Sequence, residues 1–160
     1  MNLRRVGSDD AEACVDILQD WIAATPWMPM IHSRASMLSF WRGRLLETQS
    51  VIAEREGVLG FAVRDGEHVT ALYLAAHARR QGIGSALLAE VAGTRDTHLW
   101  TFQANHAARS FYAAQGFREV RRTDGDNEEK LPDVLLFRQG GAAAAVTQRR
   151  AGDPGADRGP

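Results

Sequence analysis

Residues 79–84 (Arg-Arg-Gln-Gly-Ile-Gly) constrain the fold most, because they join a strand-like run, His68–Leu74, to a helix-like run at residues 85–91. Gly82 and Gly84 let the backbone approach an anion closely, and the first N–H groups of a helix have no partner within the helix. Arginine adds a fixed charge and a forked donor for phosphate oxygens. The pattern predicts a pyrophosphate-binding loop, although a plain strand-to-helix turn would share it.

A second motif, residues 105–117, reads Asn-His-Ala-Ala-Arg-Ser-Phe-Tyr-Ala-Ala-Gln-Gly-Phe. In this order and spacing the two motifs resemble the GNAT superfamily of acyl-coenzyme A-dependent N-acyltransferases. That family has a loop Arg/Gln-x-x-Gly-x-Gly/Ala and a later helix Asn-x-x-Ala-x-x-Phe-Tyr-x-x-x-Gly-Phe. The matching positions are Arg79, Gly82 and Gly84 in the loop, and Asn105, Ala108, Phe111, Tyr112, Gly116 and Phe117 in the helix. Arg80 departs from the pattern, because many relatives have glycine there.

The resemblance covers residues 1–138 and implies an α/β fold of the mixed α+β kind. We expect a central mixed, mostly antiparallel sheet flanked by helices, with a parallel central crossover. Residues 139–160 are dominated by alanine, glycine, proline and arginine. They contain too little apolar surface to offset the entropy of ordering, so we expect a flexible tail there.

The implied activity is transfer of an acetyl group from acetyl-coenzyme A directly to a primary amine of a small molecule or peptide. Asn105 is expected to hold the pantetheine arm of the cofactor, to cap its own helix, or both. The full set of expected cofactor-binding residues is Leu72, Leu74, Arg79, Arg80, Gln81, Gly82, Ile83, Gly84, Ser85, Asn105 and Arg109.

Tyr112 is the expected catalytic acid, since a tyrosine at this motif position often protonates the leaving coenzyme A thiolate in the resembled family. The alternative is an aromatic side chain that only packs beside Phe111. A proton acceptor is also needed, because an amine with a pKa of about 10.4 is uncharged only about once in 2,500 molecules at pH 7. His68 is our candidate base, directly or through water, while a solvated surface role is the alternative.

The acceptor side is expected to include Trp27, His32 and Glu128, within segments that also hold Trp41 and the acidic residues 124–129. Aromatic side chains can form an apolar wall, and carboxylates can hold a cationic amine. For His32 and Glu128, as for His68, solvated surface positions are the competing interpretation.

Composition narrows the function classes. The 160 residues, 44% hydrophobic, suit one domain, and a formal charge of −1 predicts no general attraction to nucleic acid or to a membrane. Cys14 is the sole cysteine, which excludes an internal disulfide and favours the cytoplasm, and its helical spacing with Ile17 and Leu18 predicts a buried thiol. Paired Cys/His spacing for a metal site is absent from the sequence. A homodimer is left open.

The hydrophobic pattern predicts alternating strands and helices. We expect strands near residues 3–6, 50–54, 59–64 and 68–74, a first helix capped by Ser8 and ending near Ala24, and a second from Ser33 or Arg34 to Glu47. Strand, loop, helix, strand, helix, strand and strand then complete the order to Arg138.

Two other functions remain in view. A non-catalytic acyl-coenzyme A sensor or partner module would retain the loop and lack turnover. A Rossmann dinucleotide domain is a weaker choice, because the chain has no Gly-x-Gly-x-x-Gly unit after its first strand.

Overall fold

The computed structural model describes residues 1–141, which contain four helices and seven strands. The helices are α1 (Ala11–Ala23), α2 (Arg34–Glu47), α3 (Ile83–Ala92) and α4 (His106–Ala114). The strands are β1 (Asn2–Arg5), β2 (Gln49–Glu54), β3 (Val58–Asp65), β4 (His68–Leu74), β5 (Thr97–Phe102), β6 (Arg118–Thr123) and β7 (Asp133–Arg138). The chain divides into two compact units, Met1–Val91 and a second beginning at Ala92.

The first unit is built on antiparallel pairing of β1 with β2, β2 with β3 and β3 with β4. The register changes between β3 and β4, because Val63 pairs with Ala71 whereas Arg64 pairs with Val69. Thr70 is therefore an extra residue on β4. Such a β-bulge bends the strand locally and is frequent beside active sites.

Helices α1 and α2 supply one side of the first unit's core. In α1, Cys14, Ile17 and Leu18 are buried at the spacing that places side chains on one face of a helix. The cluster that includes Cys14 also contains Val6, Ala11, Ile17, Leu45, Ile52, Phe61, Val63 and Ala71. Burial raises the pKa of the Cys14 thiol to about 12, so the predicted buried thiol is confirmed.

In the second unit β7 pairs antiparallel with both β5 and β6. The strands bury Leu99, Val134 and Leu136, and α4 with the turn that follows it buries Tyr112 and Phe117. Between β6 and β7 lies an ordered loop in which the side chains of Asn127 and Thr123 accept backbone N–H groups.

The expected mixed α+β class, with mostly antiparallel strands flanked by helices, is confirmed. Helix α2 starts as predicted, since Ser33 accepts the Ser36 N–H at 3.1 Å. The predicted cap at Ser8 is wrong. Helix α1 begins at Ala11 with Asp10 at the N-cap position, and the Asp10 carboxylate accepts the Gly7 N–H at 2.6 Å in the turn before the helix.

None of the helices described in residues 1–141 is long and apolar enough to cross a membrane. The predicted flexible tail begins at residue 139, and residues 142–160 lie outside the described part of the chain.

Candidate active site

The loop between β4 and α3 has the backbone expected of an anion cradle. The Ala75 N–H donates to the Leu59 carbonyl at 2.8 Å, which holds the end of β4 against β3. A short 3₁₀ turn at Ala76–Ala78 follows, and Gly82 then adopts φ +78. The first hydrogen bond of α3 joins the Ala86 N–H to the Gly82 carbonyl at 3.1 Å. Helix α3 therefore begins at Ile83, two residues before the predicted run 85–91, with its positive dipole end at the loop.

The backbone conformation of Arg80 explains why many members of the resembled family have glycine at this position. Its φ is +62, a left-handed conformation that costs an L residue roughly 1–2 kcal/mol. Arg79 has an extended backbone with φ −72 and ψ 156. Both side chains are exposed, so two guanidinium groups stand beside the start of α3.

The side chain of Gln81 forms hydrogen bonds that stabilise the loop. Its Nε2 donates to the His77 carbonyl at 2.9 Å, and its Oε1 accepts from Arg55 at 3.5 Å. Ile83 is 1% exposed and anchors the first turn of α3 in the core. Gln81 therefore ties the loop to His77 and Arg55, and Ile83 fixes the start of α3.

Gly60 is a residue that the sequence analysis missed. It pairs with Leu74 at the end of β4, and a Cβ at this position would lie 2.5 Å from Leu74 Cδ2 and 2.8 Å from the Tyr73 carbonyl oxygen. Only glycine lets β3 pass this close to β4. The half-buried Leu72 and Leu74 occupy the same face of β4, as strand alternation requires.

A row of aromatic rings links the α1–α2 connection to β4 and α2. Trp27 contacts Trp21 with 5.9 Å between ring centroids, and Trp21 contacts Tyr73 at 5.4 Å. The row continues through Phe61 at 5.8 Å from Tyr73 and ends with Trp41 at 5.9 Å from Phe61. Trp27 is therefore part of a packed row of aromatic rings, and its role on the acceptor side stays a prediction. Tyr73, at its centre, was missed because it lies on the face of β4 opposite to Leu72 and Leu74.

The candidate base, His68, and the two polar acceptor-side candidates, His32 and Glu128, are all exposed. His32 lies in the connection just before α2, and His68 begins β4 opposite Asp65. At about 3.3 Å per residue, His68 is roughly 20 Å along β4 from Leu74 and the β4–α3 loop. Glu128 belongs to the β6–β7 loop of the second unit. Their roles in binding or catalysis stay predictions.

Helix α4 carries the second motif. Asn105 is its N-cap and accepts the Ala108 N–H at 3.1 Å, so the capping role is confirmed. Arg109 donates to the Gln103 carbonyl at 3.0 Å and pairs with Glu119 at 3.0 Å. Arg122 and Arg109 together lower the pKa of the Glu119 carboxyl. These contacts fasten α4 to β6.

Tyr112 is 8% exposed and lies between two aromatic rings. The centroid of its ring is 5.1 Å from that of Phe111 and 5.6 Å from that of Phe117, both in edge-on geometry. Its carbonyl accepts the N–H groups of Gln115 and Phe117 at 3.0 Å. The packing alternative and the catalytic alternative both fit these contacts, since a ring held in place can still present its hydroxyl.

A cavity of about 410 Å³ opens beside the β6–β7 loop of the second unit. Trp100 and Phe102 form its aromatic wall, and Asp126, Glu129 and Asp133 contribute carboxylates. Arg121 lies over Trp100 with 5.9 Å between its Cζ and the ring centroid. The cavity draws on the predicted acidic segment but through Asp126 and Glu129 rather than Glu128. No group of three or more potential metal ligands occurs among residues 1–141.

Comparison with known proteins agrees with the two motifs. Residues 30–130 match the acetyltransferase (GNAT) domain family. Peptidyl-lysine N-acetyltransferase YiaC from Escherichia coli K12 is 34% identical over 133 residues, which is 75% of this chain and 86% of YiaC. The solution structure of apo YjaB from Escherichia coli superposes with a TM-score of 0.69 at 24% identity, over 87% of this chain and 97% of YjaB. A phosphinothricin acetyltransferase from Sinorhizobium meliloti, in complex with acetyl-coenzyme A, gives a TM-score of 0.69 at 22% identity, over 90% of each chain.

Proposed function

Since the chain belongs to the GNAT family of acetyltransferases, we propose that it transfers an acetyl group from acetyl-coenzyme A directly to a primary amine. The observation that carries the proposal is the donor loop, residues 79–85. Gly82 at φ +78 opens α3 beside the exposed Arg79 and Arg80, which is the arrangement of N–H groups and charge that a pyrophosphate needs. A fold neighbour that was solved with acetyl-coenzyme A supports the same donor.

The pantetheine arm would follow β4 past Leu72 and Leu74, with Asn105 and Arg109 as the proposed contacts from α4. The face of β4 that carries the two leucines is half-buried and apolar enough for the arm's methylene groups. Asn105 retains its amide nitrogen for a ligand, since its side-chain oxygen accepts the helix N–H.

The acceptor is proposed to be an amine of a peptide or of a small molecule. The name of the 34% identical relative favours a peptide lysine. The aromatic row around Trp27 suits the apolar stem of such a side chain, and the carboxylates of the cavity near Trp100 suit cationic groups of a peptide. His32 and Glu128 remain proposed acceptor contacts.

In the proposed reaction the amine forms a bond to the thioester carbonyl carbon, and the carbon–sulfur bond breaks. The leaving thiolate takes a proton from Tyr112, and the proton lost by the amine goes to water or to His68. We further propose a cytoplasmic setting, because a single buried thiol requires no oxidising compartment.

A library of primary amines and lysine-containing peptides, offered with acetyl-coenzyme A while free thiol is measured, tests the proposal. Thiol release should rise with particular amines and be matched by acetylated product in a mass spectrum. Gly82→Val, which should not bind the donor, serves as the negative control. If the wild-type protein binds acetyl-coenzyme A and releases no thiol with any amine, the sensor alternative replaces the enzyme.

A further inference from the structure

Arg138, at the end of β7, is a buried cation outside the set of residues considered so far. It is 6% exposed and has no ion pair within residues 1–141. A buried charge is costly unless other groups satisfy it. Burial lowers the pKa of the Arg138 guanidinium, which is consistent with this environment.

The groups that satisfy Arg138 all belong to the end of α4. Its Nη1 donates to the Gln115 carbonyl at 3.0 Å, and its Cζ lies 5.0 Å from the centroid of the Phe117 ring. Its stem crosses Gly116, where a Cβ would lie 3.5 Å from Arg138 Cδ. A guanidinium at a helix C-terminus is also favoured by the negative end of the helix dipole.

Tyr112 contacts the same two residues. Its carbonyl accepts both the Gln115 N–H and the Phe117 N–H, each at 3.0 Å, and its ring is 5.6 Å from the Phe117 ring. Gly116 has φ +91, which lets the chain turn back so that these bonds form. Arg138 therefore contacts both Gln115, whose N–H binds the Tyr112 carbonyl, and Phe117, whose ring packs against the Tyr112 ring.

We propose that Arg138 is a positioning residue for the Tyr112 hydroxyl, acting through the Gln115 carbonyl and the Phe117 ring. The proposal rests on the proposed function, in which Tyr112 protonates the leaving thiolate. Releasing the last turn of α4 would change the direction of the Tyr112 side chain. A displacement of about 1 Å at a catalytic group can reduce a rate by about 10²-fold.

Arg138→Met tests the proposal, because it keeps an apolar stem over Gly116 and removes the guanidinium. The matched control is Arg118→Met. Arg118 also lies over an aromatic ring, with its Cζ 5.6 Å from the centroid of Phe137, but it is exposed on β6. The chain has two tyrosines, Tyr73 and Tyr112, so isotope-labelled tyrosine gives two assignable NMR signals.

We expect Arg138→Met to shift or broaden the Tyr112 signal and to leave the Tyr73 signal in place, while Arg118→Met changes neither. With the amine found in the library screen, Arg138→Met should lower kcat about 10–100-fold and leave the KM for acetyl-coenzyme A unchanged. Arg138→Gln, which keeps a donor for the carbonyl but not the charge, replaces it if the methionine variant does not fold.

A double-mutant cycle separates positioning from general stability. If Arg138 acts through Tyr112, adding Arg138→Met to Tyr112→Phe should lower kcat no further. An equal loss in both backgrounds, an unchanged kcat in Arg138→Met, or an unchanged Tyr112 signal would overturn the positioning role. A Tyr112→Phe variant as fast as wild type would instead show that the proposed acid is wrong, and the role of Arg138 would fall with it.

Discussion

Valine at position 82 is the sharpest perturbation of the donor loop. Gly82 has φ +78, and a Cβ there would meet no atom within 4 Å. Gly82→Val therefore adds backbone strain without an internal clash. An L residue in this region costs roughly 1–2 kcal/mol, and a β-branched residue tolerates it least. For a chain of this size that cost lowers Tm by about 2–8 °C.

Gly66→Val is the matched control, because Gly66 has φ +61 and equally open surroundings. It lies in the turn between β3 and β4, at the opposite end of β4 from the donor loop. Both variants should lose similar stability. Only Gly82→Val should lose the response to the donor.

The assay is thermal unfolding of the three proteins with and without acetyl-coenzyme A. At 100 times its Kd, the donor should stabilise the wild-type protein by about 2.7 kcal/mol, which is about 5–11 °C in Tm. Gly66→Val should show the same increase and Gly82→Val little or none. A full increase in a folded Gly82→Val protein would refute the assignment of the loop. If Gly66→Val also fails to show the increase in Tm, the effect is due to general strain rather than to the loop.

Three more predictions follow from contacts elsewhere in the chain. Tyr112→Phe keeps the ring between its aromatic neighbours, so the affinity for the donor should stay unchanged. Single-turnover rates should fall about 10²–10⁴-fold, because the hydroxyl that protonates the thiolate is gone. If the rates are equal and chemistry is the slow step, Tyr112 is a packing residue. The Arg4 Nη1 lies 2.7 Å from the Asp10 Oδ2 and lowers the pKa of that carboxyl. The pair therefore stabilises the fold above the ordinary aspartate pKa of about 4, and this stabilisation is lost as the pH falls through the lowered pKa. In urea unfolding, Asp10→Asn should cost stability at pH 7 and little at pH 2, and an equal cost at both would contradict the linkage. Cys14, whose thiol pKa burial raises to about 12, should react with a thiol reagent at pH 8 only after denaturant is added, and rapid labelling of the folded protein would contradict its burial.

Local chemistry explains which elements could be predicted. The Ser33 hydroxyl accepts an N–H three residues along the chain, so the start of α2 depends only on neighbouring residues. The Asn105 cap of α4 follows the same rule. The start of α1 could not be read in this way, because Asp10 is engaged by Arg4, a residue of β1. A tertiary contact thus outweighed the local signal at Ser8.

The residues of the candidate site also differ in how far the sequence could predict them. The turn that opens α3 was predictable because glycines at that spacing act through their own backbone. Its role in binding the donor stays a prediction. The partners of the aromatic row were not, since Trp21 and Tyr73 are 52 positions apart and meet only when α1 packs on the sheet. Gly60 was missed for the same reason, because its need for a bare Cα comes from the neighbouring strand.

Two arginines are buried among residues 1–141, and their contacts could not be predicted from the sequence. Motif spacing by itself determined the family resemblance, the glycine turn before α3 and the place of Tyr112 on α4, because these depend on residues close together in the chain. Arg64 and Arg138 look like ordinary strand-end cations in the sequence. Only the folded chain brings Arg64 to the Val91 carbonyl at the end of α3, and Arg138 to the Gln115 carbonyl at the end of α4. Burial of a charge is decided by which distant carbonyls and rings are there to satisfy it, and that is a property of packing.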